Sequence, residues 1–432
     1  MAVIAIPISL QSMITIGVNM TDTVMVGKLG ETSLSATALA NQFVNIYQIC
    51  CMGIAMGASV LTSRFWGMQD ITSLKKTITL MLRLCIVLAV LFMLPTILIP
   101  QLLMRMYTSD SAVIAQGVQY FKWMVYCYFL QGMTMTCTIV LRSVGQVNFP
   151  LFTSIGSFFV NILFNYMFIF GKLGVPRMEV EGAGVGTLIA RVFEFSLICG
   201  YFLFVDRKIG YRLKDLRMKC NSLIKDYVSI SIPVFVSDSL LALGTSAVAM
   251  VMWRIGTGFV SANSITVVTQ QLTTVVIQGI CHAGCIMTGH TLGHGEREKA
   301  QQQAWTFLIL GLVVGILGGG LIKVLSRPII GLYNITPETA QIAGELMDAI
   351  AFIVIFQSMN SILTKGVLRG GGDTKFLMVA DIIFLWAASL PLGILAGLVW
   401  HLDAFWIYVF LKIDQICKSI WCVFRLRSGK WI

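Results

Sequence analysis

Charged residues are scarce in this sequence. Asp, Glu, Lys and Arg make up 12% of its 432 residues, which is about half the share of a typical soluble domain. By contrast, 57% of the residues are hydrophobic and the mean hydropathy is +0.83. A folded chain with so few charges cannot cover itself with a surface that water solvates well. We therefore expect the chain to be solvated by lipid.

Motifs of enzymes and metal sites are also missing. None of the eleven cysteines stands in a C-x-x-C pair, and there is no nucleophile elbow, kinase signature set or phosphate-binding loop. His290 and His294 stand four residues apart beside Glu296, but they lie in a predicted cytoplasmic turn without a third ligand nearby. The sequence therefore predicts no enzyme, no metal site and no cofactor.

Long apolar runs fill the chain instead. In hydrocarbon the backbone polar groups of such runs must be satisfied internally, so the runs predict helices rather than strands. We expect twelve membrane spans, at residues 1–24, 36–62, 77–99, 118–141, 151–171, 184–205, 226–252, 262–289, 303–325, 344–367, 376–400 and 404–424.

The distribution of Lys and Arg predicts the orientation. If the N-terminus is cytoplasmic, 18 of the basic residues at or beyond the ends of the spans fall on the cytoplasmic side and 7 on the opposite side, which favours two cytoplasmic termini. The net charge of +11 then follows from topology and requires no nucleic-acid partner, although some of it can contact anionic lipid. Met1 begins almost inside the first span, so we expect no cleaved signal peptide and a cytoplasmic lead-in that is missing or lies upstream.

A basic segment at mid-chain divides the sequence into similar halves. Residues 207–225 are predicted to link an N-terminal lobe at residues 1–206 to a C-terminal lobe at residues 226–432. A shift of 226 residues gives ten identities in the first seventy or so positions, where about five are expected by chance. We therefore predict two six-helix lobes related by a pseudo-two-fold axis along the membrane normal, with a ligand cleft between them.

A series of short motifs runs through both halves of the chain. In the first half these are Pro7, N-x-x-D at residues 19–22, VGKLG, LSATALA, LRSVGQVNFP, NILFNYMFIFG and EGAGVGTLIA. In the second half they are SIP at residues 231–233, TGHTLGHGEREKA, LRGGGDTKF and WAASLPL. Each motif alone is weak, but their order over nearly the whole chain resembles that of the multidrug and toxic compound extrusion (MATE) transporters.

The resemblance implies secondary active efflux. A MATE transporter exports organic, often cationic, compounds in exchange for H⁺ or Na⁺ by alternating access, and the sequence does not choose between the two ions. We accordingly expect a monomeric, multi-pass protein of the cell membrane whose partners are small organic molecules and the lipid bilayer.

The acid of the first span is the main candidate site residue. In the family, the acid of span 1 belongs to a polar cluster associated with cation coupling, which assigns this role to Asp22, with Asn19 in the same motif and Asn161 and Asn165 in span 5. The four-residue spacing of the two asparagines places both amides on one helical face. An ionised carboxylate in hydrocarbon must be neutralised by a proton, a metal cation or a partner. The alternative is that Asp22 lies wetted at the end of the span and caps the next turn.

Three further residues are weaker candidates. Asp238 in span 7 stands near the position where the family often has an acid, and structural and functional interpretations of it are both open. Pro7 and Pro391 lie within spans and predict kinks or local unwinding, either static or part of a transport cycle.

Arg191 and Glu194, three residues apart in span 6, are predicted to form a structural ion pair.

Two other function classes compete with efflux. A lipid or lipid-linked oligosaccharide flippase of the same wider superfamily would usually need a strongly cationic central cavity, and basic residues within the spans are few. A membrane scaffold would leave Asp22, Asn161 and Asn165 unexplained.

Overall fold

The computed structural model describes residues 1–172, 174–331, 333 and 335–432, and every regular element within them is a helix. Eleven helices in this described part are long and apolar enough to cross a membrane. The predicted all-α membrane fold is therefore confirmed. The chain separates into two compact units, called here the N-unit (residues 10–231) and the C-unit (residues 1–9 and 232–432).

Five long helices and the greater part of a sixth form the N-unit. It also contains a short helix, a 3₁₀ turn and residues 221–231, which begin the next long helix, and the helix before the 3₁₀ turn continues as a π-helical turn, Tyr201–Val205. The helices are α1 (Ala2–Gly27, from Leu10 onward), α2 (Glu31–Gly67), α3 (Ile71–Leu98), α4 (Pro100–Arg105), α5 (Ser111–Ser143), α6 (Asn148–Phe170) and α7 (Glu179–Gly200), and the 3₁₀ turn is Leu213–Arg217.

Local sequence explains several helix ends in the N-unit. The carboxylate of Asp70 accepts a hydrogen bond from the amide of Ser73 at 3.0 Å and so caps α3. Asp110 caps α5 in the same way through the amide of Ala112, at 2.8 Å. Each carboxylate accepts a hydrogen bond from a backbone amide that has no partner within the first helical turn.

The basic segment at residues 207–225 belongs to the N-unit and is tied to α3. Lys75 forms an ion pair of 2.9 Å with Asp215, and the hydroxyls of Thr79 and Tyr211 lie 2.9 Å apart. Burial raises the pKa of Tyr211 to about 12. Partial burial opposes ionisation of Asp215, but hydrogen bonds from Lys75 and the Arg212 amide outweigh it and hold the pKa of this carboxyl below its usual value.

The later helices of the C-unit are interrupted by π-helical segments. Its helices are α8 (Asn221–Ile255, from Ile232 onward), α9 (Thr257–Gly293), α10 (Arg297–Ile330), α11 (Pro337–Ser361), α12 (Thr374–Asp381), α13 (Leu390–Ile394), α14 (Ala404–Leu411) and α15 (Ile413–Arg427). The π-helical segments are Ile362–Leu368 after α11, Ile382–Ser389 after α12 and Leu395–Val399 after α13.

The helix around Pro7 is continuous, whereas the helix around Pro391 and the last predicted span are interrupted. Pro7 lies inside the continuous helix α1, two residues before the boundary between the units at Ser9 and Leu10. Pro391 lies in α13 between two π-helical segments, so this span does depart from α-helical geometry. The span predicted at residues 404–424 is divided at Lys412 into α14 and α15.

Apolar residues at helical spacing form the core of each unit. In the N-unit, Tyr47 and Tyr128 are fully buried, with ring centroids 5.0 Å apart, and the Tyr47 hydroxyl donates to the Tyr128 carbonyl. In the C-unit, Leu346 and Ile350 lie on one face of α11 and are likewise fully buried. These cores hold the helices that carry the polar side chains described next.

Candidate functional site

Asp22 on α1 lies beside both asparagines of α6. Asn165 Nδ2 donates to Asp22 Oδ1 at 2.6 Å and lies 3.3 Å from Asn161 Oδ1. Asn161 and Asn165 are 2% and 0% exposed, whereas Asp22 is half-buried. The structure thus brings together, within one unit, three of the four residues that the resemblance assigns to cation coupling.

These residues border a cavity of about 330 Å³ inside the N-unit. Asp22 and Asn161 line the cavity, while Asn165, which is not part of the lining, donates its hydrogen bond to the Asp22 carboxylate. Asn19, the fourth predicted residue, is exposed and also lines the cavity. Buried Tyr120 lines it as well and donates to Asn41 Oδ1 at 3.3 Å.

The charged groups of this cavity are unevenly paired. Arg191 and Glu194 also line it, and they form the predicted ion pair at 2.9 Å. Among the residues that the structure describes, no ion pair joins Asp22 to a basic side chain. Two acidic residues and one basic residue line the cavity, which gives it a formal charge of −1. An additional cation would neutralise it.

Two glycines on α7, which the sequence analysis did not single out individually, allow α7 to lie close to the part of α6 that carries Asn165. A Cβ atom at Gly186 on α7 would lie 2.9 Å from the Asn165 backbone nitrogen and would overlap its side chain. A Cβ atom at Gly182, one turn earlier, would lie 2.6 Å from the carbonyl of Phe168. Their G-x-x-x-G spacing, visible within EGAGVGTLIA, is the signal that could have predicted this close approach of α7 to α6.

A second polar contact in the N-unit involves Arg142. This residue, near the end of α5, donates from Nη2 to Gln11 Oε1 at 2.5 Å, and Gln11 Nε2 donates to Ser154 Oγ at 2.8 Å. Gln11 and Ser154 are both buried. The contact joins α1, α5 and α6, and nothing in the local sequence pattern predicts it.

Asp238, the candidate acid of the second half, lies in an ion pair. Arg369 Nη2 donates to Asp238 Oδ1 at 3.0 Å, and the arginine is 5% exposed. Nearby in the C-unit, buried Lys418 contacts Asp381 at 2.9 Å and Asp414 at 3.1 Å. The i, i+4 spacing of Asp414 and Lys418 is a signal that the sequence analysis overlooked.

Comparisons with known proteins agree with this architecture. The sequence profile of the MatE family matches residues 7–167 and 233–416. A Thermotoga maritima protein named probable multidrug resistance protein NorM is 23% identical over 431 residues, covering 99% of this chain and 92% of that protein. The Bacillus subtilis uncharacterized transporter YisQ is 24% identical over 418 residues, covering 95% of this chain and 90% of that protein.

A solved structure shares the fold. The Vibrio cholerae MATE transporter VcmN, in its bent form, superposes with a TM-score of 0.89 at 16% identity. The superposition covers 99% of this chain and 95% of that one.

Proposed function

Since the chain belongs to the MatE family, we propose that it is a secondary active efflux transporter that exports organic, often cationic, compounds in exchange for H⁺ or Na⁺. Membership confirms the predicted family and, because its members are transporters, the prediction that the chain is not an enzyme. The names of relatives such as the NorM protein support multidrug efflux. We further propose that the protein works as a monomer in the cell membrane with both termini in the cytoplasm.

One observation carries the assignment of the coupling site. Asp22 lines an N-unit cavity of formal charge −1 and receives a hydrogen bond from Asn165, but forms no ion pair with a basic side chain in the described parts of the chain. An ionised carboxylate within a membrane-embedded bundle costs several kcal/mol unless a cation neutralises it. A proton, a sodium ion or a cationic substrate would meet that need, and exchange among them is the chemistry of an antiporter.

The two asparagines suit this role because an amide carries both a donor and an acceptor. Asn165 Nδ2 stabilises the charged form of Asp22, and the Asn161 Oδ1 acceptor lies at the cavity wall. Carboxylate and amide oxygens are also ligands that hard cations accept. The cluster could therefore serve either coupling ion, and Asp22 is the group whose charge would change in the cycle.

Ethidium uptake into inverted vesicles tests the proposal, because an exporter moves its substrate into the lumen of such vesicles. We expect wild type to transport ethidium under an imposed proton gradient or an imposed sodium gradient, and Asp22→Asn to lose that transport while reaching the membrane at the same level. Asp226→Asn is the matched control, because Asp226 is an exposed acid at the start of α8. The gradient that supports transport identifies the ion.

Two outcomes would contradict the proposal in different ways. Equal export by wild type and Asp22→Asn would show that Asp22 is a wetted cap and that coupling lies elsewhere. No export by wild type under either gradient would reject the substrate class and favour the flippase alternative.

A further inference from the structure

The C-unit encloses a second cavity whose charge is opposite to that of the first. Its volume is about 240 Å³. Six charged side chains line it, four basic and two acidic, giving a formal charge of +2, and these are Lys365, Arg369, Lys412, Lys418, Asp381 and Asp414. The N-unit cavity, by comparison, has a formal charge of −1.

Internal pairing does not remove the positive charge. Both acids of the lining contact the same buried lysine, Lys418, at 2.9 and 3.1 Å. Arg369 takes Asp238 as its partner, and this acid lies outside the lining. Counting Asp238 as well, the group keeps a net charge of +1.

Two lysines of the lining are left without a carboxylate in contact. Within the described ranges of the chain, neither Lys365 nor Lys412 forms an ion pair. Lys365 is exposed and Lys412 is half-buried. A cavity within a membrane-embedded bundle that holds unpaired cations favours binding of an anion, for the same reason that Asp22 favours a cation.

The cavity also offers hydrogen-bonding atoms without partners. Arg369 is 5% exposed, and its Nε is buried and makes no hydrogen bond to any residue that the structure describes. Asn360, which lines the same cavity, has a buried Oδ1 that likewise lacks a donor among those residues. The site can thus donate to an anionic oxygen and accept from one N–H or O–H of the same ligand.

The backbone is irregular where the unpaired lysines stand. Lys365 lies in the π-helical segment Ile362–Leu368, and Lys412 occupies the break between α14 and α15, with φ −121°. π-Helical turns inside longer helices occur frequently at functional sites, since they redirect side chains toward a ligand. Here the irregular geometry presents two cations to one cavity.

We propose that this C-unit cavity binds the carboxylate of a small organic acid or zwitterion, with Lys365, Lys412 and Arg369 as its donors. The claim that the acid is a transported substrate rests on the proposed function, whereas the claim of binding does not. Pockets that enclose a whole drug-sized ligand measure about 300 to 1,000 Å³, so 240 Å³ suits a small acid or the acidic end of a larger one.

Isothermal titration calorimetry of the purified protein in phosphatidylcholine nanodiscs tests the site. Benzoate and benzamide are the probes, because they have nearly the same shape and differ in charge. We expect benzoate to bind at least about tenfold more tightly than benzamide, and Lys365→Gln or Lys412→Gln to weaken benzoate binding about tenfold. Lys365 is exposed, so its substitution keeps the test readable if Lys412→Gln fails to fold.

Lys323→Gln is the matched control, because Lys323 is an exposed lysine of the same unit that pairs with Asp348 outside the cavity. It should leave benzoate affinity unchanged. Equal affinity for benzoate and benzamide would overturn the proposal. Chloride that displaces benzoate at equal concentration would overturn the assignment to an organic carboxylate, since the site would then hold an inorganic anion. The titration needs no ion gradient, so a failure of ethidium export leaves its result interpretable.

Discussion

Arg369 donates two hydrogen bonds to Asp238, at 3.0 and 3.4 Å, across 131 residues of sequence. In the other half of the chain, Arg142 donates to Gln11 across the same 131 residues. A shift of 227 residues carries one pair onto the other, which is one more than the shift of 226 that aligns Pro7 with Pro233 and Gln11 with Ser237. Each half therefore contains an arginine that contacts a polar side chain of its first long helix, but the two acceptors stand at neighbouring rather than equivalent positions of the repeat.

Exchanging the acceptor of one half for that of the other tests whether the two contacts stabilise their units in the same way. Gln11→Glu should convert the Arg142 contact into an ion pair, leaving the free energy of unfolding unchanged or raising it by about 1 kcal/mol, because charged hydrogen bonds are the stronger kind. Gln11→Leu should lower it by about 1 to 3 kcal/mol, since Arg142 loses its acceptor. Thermal unfolding in detergent micelles measures both, and equal destabilisation by Glu and Leu would show that an acidic partner does not strengthen the Arg142 contact.

Replacing only one partner of the Arg369–Asp238 pair should lower the free energy of unfolding more than replacing both partners. We expect Arg369→Gln to lower the free energy of unfolding by about 3 kcal/mol, because it leaves a largely buried carboxylate unpaired. The double variant Arg369→Gln, Asp238→Asn should be more stable than this single variant. A double-mutant cycle from denaturant titrations gives the coupling energy. Additive losses would show that the two side chains do not stabilise each other.

Close approach at Gly186 predicts an effect on the Asp22 cluster. Gly186→Ala should lower the free energy of unfolding by about 1 to 3 kcal/mol and should also reduce ethidium export, because the new Cβ atom would displace Asn165 from Asp22. Gly200→Ala on the same helix meets no atom within 4 Å and serves as the control. Thermal unfolding and ethidium uptake into inverted vesicles would be measured on both variants. Full activity of Gly186→Ala would separate Asn165 from transport.

The sequence pattern predicted those contacts that lie within one helix and follow its periodicity. The spacing of Asn161 and Asn165 placed both amides on one face of a helix, and that of Arg191 and Glu194 predicted their ion pair. The contact of Asp22 with α6 joins residues 143 positions apart, and the family resemblance rather than spacing suggested it.

Contacts of the second half show why the pairing between distant helices could not be predicted from the sequence. Asp381 lies 37 positions before Lys418 in the sequence, so no helical spacing links them, although they are 2.9 Å apart. Lys412, Asp414 and Gln415 interrupt the apolar run at residues 404–424, but polar residues alone do not predict that the helix divides at Lys412. Ser389 Oγ donates to the Leu411 carbonyl there and thereby satisfies a backbone group at the break.

The ion pair between Lys75 and Asp215 predicts a pH dependence of stability. The folded-state pKa of Asp215 lies below its usual value of 3.8, so its ionised form stabilises the folded protein above that pH, and the contribution disappears as pH falls through the folded pKa. We expect Asp215→Asn to cost about 1 kcal/mol at neutral pH, since the pair is partly exposed. Thermal unfolding of wild type and variant from about pH 7 to about pH 3 should show a constant difference above about pH 5 that narrows below pH 3.8. Asp226→Asn, which removes an exposed acid of the same unit, is the matched control. A difference between wild type and Asp215→Asn that stays the same at every pH would mean that the charge of Asp215 does not hold the basic segment on α3.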